Sequence, residues 1–140
     1  MVGGQKLAET IVSLLREVTQ LADVLFVVEK GPQAVVESWV SPGNMNVTVQ
    51  GDWLAVESEP WHCHLDLAAV AEIRFVEEPD VHDLKRQAFS IRLLGRNGDP
   101  LLMIFFGKMY DDSGVLVSEK VARFRALREQ HGLSVKKSEI

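Results

Sequence analysis

Between residues 24 and 107 the apolar runs of this chain are separated by turns and loops too short to carry a crossover helix. A parallel strand pair needs a connection of a dozen or more residues, whereas an antiparallel pair closes through a tight turn. The strands must therefore pair antiparallel. Val24-Leu25-Phe26-Val27-Val28 is β-branched and aromatic and ends at Gly31-Pro32, which reads as a strand. Residues 34–40 read as a second, stopped by Ser41-Pro42-Gly43-Asn44. Residues 46–50 and 53–57 flank Gly51-Asp52, with glycine first as a type II′ hairpin turn requires. A strand over residues 70–77 runs into the polar stretch 79–87, which reads as a long loop. Residues 88–95 and 100–107 form a hairpin through Asn97-Gly98, the preferred type I′ dipeptide, with Arg96 facing Asp99.

Helical periodicity is confined to the two ends. Leu7, Ile11, Leu14, Leu15, Val18 and Leu21 make the stripe of an amphipathic helix over residues 6–22. Val121, Phe124 and Leu127 make another from Ser118, stopped by Gly132. The pattern predicts one α+β domain over residues 1–133, a large antiparallel sheet flanked by N- and C-terminal helices. Residues 134–140 read as a disordered tail.

Charge and composition narrow the function classes. A net charge of -5 and a pI near 5.3 argue against nucleic acid as a partner, because phosphate binding needs a basic face. The longest apolar run, residues 101–106, is far too short to span a bilayer. The first residues lack the basic-then-apolar order of a signal peptide, so a cytoplasmic location is the expectation. A single cysteine excludes an internal disulfide and a cysteine-built zinc cage.

The stretch Trp61-His62-Cys63-His64-Leu65-Asp66 carries the most chemistry. As a strand it sends Trp61, Cys63 and Leu65 to one side and both histidines to the other. Paired imidazoles there could bind a metal, cap a heme iron or sit in solvent. Asp66 could share their face, and two histidines with a carboxylate could hold iron or zinc. Cupin metal sites also begin with His-x-His, but the positions of their following glutamate are Ala68 and Ala69 here. Cys63 reads as a buried small hydrophobe. His82 lies in the polar stretch, from which it could reach over a cleft as an axial ligand or stay solvated. His131 would complement the negative end of the last helix. Lys85, Arg86, Arg123, Arg125 and Arg128 read as solvated charges, and no catalytic constellation stands out.

The ordered set Pro60-Trp61-His62-Cys63-His64-Leu65-Asp66-Leu67, Ala71-Glu72-Ile73-Arg74-Phe75-Val76-Glu77-Glu78-Pro79, the Asn97-Gly98 hairpin and Met103-Ile104-Phe105-Phe106-Gly107-Lys108 resembles the heme-utilisation proteins of the ChuX/HutX type. Those are similar to one half of the duplicated HemS-type proteins. The final stripe Val121-Ala122-Arg123-Phe124-Arg125-Ala126-Leu127 fits the same pattern. The resemblance implies a dimerised antiparallel sheet, a heme cleft between sheet and helices, and a role in carrying, storing or breaking down heme. It implies heme near His62 and His64 as metal ligands, with His82 as a further ligand. Arg92, Lys108 and Arg74 could neutralise the propionates or be ordinary strand-face and loop charges, and Phe89, Met103, Ile104 and Phe106 or their neighbours would form the apolar wall. Residues 41–48 contain no histidine or tyrosine, so a ligand that relatives place there is missing.

Two function classes follow. One is a heme-binding protein of intracellular iron utilisation, acting as a homodimer. The other is a non-enzymatic interaction module or chaperone of the same shape, binding a protein or another apolar ligand without heme.

Overall fold

The computed structural model describes residues 2–132 and 134–136. In chain order the elements are α1 (Val2–Val18), β1 (Val24–Lys30), β2 (Ala34–Trp39), β3 (Asn46–Gln50), β4 (Trp53–Glu57), β5 (His62–Asp66), a 3-10 turn (Leu67–Ala69), β6 (Glu72–Asp80), β7 (Asp83–Leu94), β8 (Pro100–Phe106), α2 (Ser118–His131) and β9 (Ser134–Lys136). All strand pairs are antiparallel, as the short connections demand. They form a six-stranded sheet, in the order β2-β1-β8-β7-β6-β9, and a three-stranded sheet, β3-β4-β5. Among the described residues no helix is long and apolar enough to cross a membrane.

One core joins these layers. Leu7, Ile11, Leu14, Leu15 and Val18 of α1 are buried with Leu54, Val56 and Leu65 of the small sheet. Phe124 of α2 sits edge-on to Phe75, Phe89 and Phe106 of the large sheet, with ring centroids 5.7, 5.4 and 5.1 Å away. α1 stops at Val18, earlier than the stripe suggests. Turn-like bonds from Gln20 N–H to the Glu17 carbonyl and from Leu21 N–H to the Val18 carbonyl replace the helical ladder, and Asp23 takes a left-handed φ of 61°.

Two turn expectations need correction. Residues 79–87 are not a loop. β6 runs to Asp80 and β7 starts at Asp83, leaving Val81 and His82 as the tip of a long hairpin. This extension projects past the sheet with polar side chains on both faces, so it lacks the apolar alternation that marks a half-buried strand. Pro79 is tolerated because β6 pairs with β9 only at residues 72–74 and is an edge strand beyond them. The second correction is at Asn97-Gly98. A type I′ turn needs positive φ at both central residues, but only Gly98 has it, at 79°. The Gly98 N–H donates to the Gly95 carbonyl and the Gly95 N–H to the Asp99 carbonyl, so Gly95 faces Asp99 across a three-residue loop.

The C-terminal expectation is shifted. Ser134–Lys136 pairs with Glu72–Arg74 as an edge strand instead of trailing from the domain. Backbone pairing needs no apolar side chains, which is why composition did not reveal it. The rest of the expected tail, residues 137–140, lies outside the described residues.

Candidate functional site

β5 sorts its side chains as alternation requires. Leu65 is buried, Cys63 and Trp61 pack against the core, and His62 and His64 are exposed. Burial pushes the Cys63 thiol pKa up, which leaves it an inert thiol. The two imidazoles stand edge-on with centroids 5.2 Å apart. They lie on the outward face of the three-stranded sheet, where His62 is paired with Glu57 and His64 with Ala55. Asp66 does not join them as a ligand; its Oδ1 accepts the Ala68 N–H at 3.0 Å and caps the 3-10 turn. Among the described residues no group of three or more histidine, cysteine or carboxylate side chains could hold a metal ion. Among the described residues no layer covers the face that carries His62 and His64, so they do not line the expected cleft there.

The other three sequence candidates do come together. His82, Arg92 and Lys108 line one groove of about 690 Å³ on the face of the large sheet opposite α2. The register explains its floor. Leu25 is paired with Phe105 and Val27 with Met103 across β1 and β8, and Arg92 of β7 is paired with Met103. Alternation turns these toward the groove while Phe26, Ile91 and Ile104 turn into the core under α2. Ile104 is therefore core and not wall, and Phe105, its neighbour, lines the groove instead. Ser90, on the same face of β7 as Arg92, is only 1% exposed.

The long hairpin supplies the rim. Its tip carries His82, whose backbone N–H donates to Asp80 Oδ1 at 2.9 Å. Arg86 stacks over the Tyr110 ring, 4.8 Å from its centroid, and the Gln87 N–H donates to Tyr110 Oη at 2.8 Å. Tyr110 thus braces the hairpin from the β8–α2 connection. Sequence reading missed both Tyr110 and the role of Arg86, because no periodicity links two loops that meet only in space. Arg92 Nη2 is ion-paired with Glu78, but its Nε is buried with no hydrogen-bond partner among the described residues. Lys108 has a left-handed φ of 51° and an ammonium 3.7 Å from Asp23.

The remaining candidates are structural. Arg74 forms a two-pronged pair with Glu72 on the surface. Arg125 and Arg128, expected to be solvated, both hold Glu77. His131 is buried and bonded to the Glu17 carboxylate of α1, so it ties the two helices together at their C-terminal ends.

A protein-family model, described only as "-like", matches residues 12–130. The chain belongs to that family. No curated protein sequence matches it. Among solved structures it is similar to ChuX, with a TM-score of 0.72 and 18% identity over 89% of this chain and 73% of ChuX. It is similar to a protein of Agrobacterium tumefaciens, with a TM-score of 0.69 and 22% identity over 89% of this chain and 69% of the other. It is also similar to holo-PhuS, a heme-binding protein from Pseudomonas aeruginosa, with a TM-score of 0.64 and 15% identity over 87% of this chain but only 32% of that one. These likenesses establish a ChuX/HemS-type α+β fold.

Proposed function

We propose that the chain binds heme in the groove on the large sheet, as a homodimer serving intracellular heme and iron utilisation. The observation that carries this reading is the buried, unpartnered Nε of Arg92 beside an apolar floor. A guanidinium N–H withdrawn from water without an acceptor is costly, and a ligand carboxylate is the acceptor that best matches it. The floor of Leu25, Val27, Met103 and Phe105 suits a flat apolar ring system, and Lys108 and Arg86 add positive charge at the same groove. Heme combines an apolar macrocycle with two carboxylates, which the apolar floor and the cations Arg86, Arg92 and Lys108 complement, in a groove also lined by Glu29, Glu37, Glu78 and Asp80. His82 is the imidazole at this groove, so it is the residue assigned to the iron.

Heme, when bound, would supply an iron centre able to take up small ligands or electrons. The chain's own residues would orient it: Arg92 and Lys108 would hold the carboxylates, and Met103 and Phe105 would shield the macrocycle from water. ChuX is described as a heme-binding protein and ChuS of Escherichia coli as a heme oxygenase, which supports the ligand class. Titrating the protein with hemin tests the reading. A saturable Soret shift that weakens in Arg92→Ala supports it; a spectrum equal to free hemin contradicts it.

A further inference from the structure

We propose that β2 is a docking edge for an extended segment of another protein, one with a basic residue between two apolar ones. β2 (Ala34-Val35-Val36-Glu37-Ser38-Trp39) ends the large sheet, and its residues are exposed along nearly the whole strand. The Val40 N–H donates to the Val24 carbonyl at 2.9 Å, which sets the phase of the β1–β2 ladder. Hydrogen-bonded pairs alternate along an antiparallel ladder, so Ser38, Val36 and Ala34 turn their backbone groups to β1. Val35, Glu37 and Trp39 turn theirs outward. The Trp39 carbonyl is taken by the Trp61 indole N–H at 3.0 Å, which leaves the backbone donors and acceptors of Val35 and Glu37 open among the described residues.

Proteins usually protect such an edge with lysine, proline, a bulge or a covering element. Among the described residues β2 has none of these, and its register with β1 is unbroken. Two of the other edges, β9 and β3, are treated differently. β9 is three residues long, and on β3 the Val47 carbonyl accepts from the Arg16 side chain at 3.4 Å. On β2, Val35 is 53% and Trp39 58% exposed.

The side chains on the open positions define the occupant. Glu37 lies between Val35 and Trp39 on the groove face, and Glu29 stands beside Val35 on β1. Neither carboxylate has a cationic partner among the described residues. In an antiparallel addition, directly opposed side chains interact. The residue opposite Glu37 is best basic, and those opposite Val35 and Trp39 are best β-branched or aromatic. A second copy of β2 fits less well: centring the pair on residue 37 opposes two glutamates, and centring it on residue 36 opposes each glutamate to a valine.

The test uses fluorescence anisotropy with a labelled nine-residue peptide carrying a central lysine, valines two residues to either side, and threonines elsewhere. Saturable binding is expected. Val35→Pro should weaken it by about tenfold or more, since the proline removes only an outward N–H and edge strands accept proline. Glu37→Lys, at an exposed side chain, should lose the lysine peptide and gain a glutamate-centred one by a comparable factor. No saturable binding, or equal binding by wild type and Val35→Pro, overturns the proposal. So does sedimentation showing that Val35→Pro dissociates a dimer that the peptide cannot compete for, because the edge then belongs to a second copy. None of these readouts depends on heme.

Discussion

At the scale of single residues, Glu77 shows how charge ties α2 to the sheet. Arg125 donates to its carboxylate at 2.8 and 3.1 Å and Arg128 at 3.2 Å. The Arg125 hydrogen bond is the main cause of a Glu77 pKa held below the usual carboxylate range. A carboxylate depressed in the folded state contributes stability above its unfolded pKa, about 4.3, and loses it as pH falls toward the folded value. The expected outcome is that Glu77→Gln lowers the urea midpoint at pH 7, and that the gap from wild type closes as pH drops below about 4. A gap that stays constant into acid would show that the pair contributes no pH-dependent stability. Alternation alone made the outward aim of His62 and His64 legible in the sequence. Their lack of a covering layer was not legible, because that depends on which sheet faces which helix.

At the scale of elements, α2 is anchored by one side chain. Phe124 is fully buried and meets three aromatic rings from β6, β7 and β8. Truncating a buried phenylalanine costs about 3–5 kcal/mol through lost transfer energy and the cavity left behind. Phe124→Ala should therefore unfold at a markedly lower temperature, while Arg123→Ala, at an exposed position, should differ little. Equal melting of the two variants by circular dichroism would refute the anchoring role. The stripe of Val121, Phe124 and Leu127 announced this helix, and the turns at Gly31-Pro32 and Gly51-Asp52 announced the strands around them. The β6–β7 hairpin was hidden because a two-stranded extension wetted on both faces has the composition of a loop. That hairpin carries His82 and Arg86, so the groove it rims was hidden with it.

At the scale of the whole molecule, the groove assembles from residues on β1, β2, β6, β7 and β8 and on two connections far apart in sequence. Arg92 and Lys108 were legible as candidate cations for carboxylates, but only the register of the sheet brings them together with His82. The chain covers about a third of holo-PhuS, at 32%. The proposed homodimer is a two-fold one, and light scattering at tens of micromolar should give twice the 15.6 kDa chain mass. A clean monomer at that concentration would argue against it.

The most direct measurement is a hemin titration of three proteins side by side: wild type, His82→Ala, and the double variant His62→Ala with His64→Ala. The groove assignment requires that wild type and the double variant share the same Soret band, and that His82→Ala shifts or loses it. A band unchanged in His82→Ala but abolished in the double variant would place the iron on the small sheet and contradict the account.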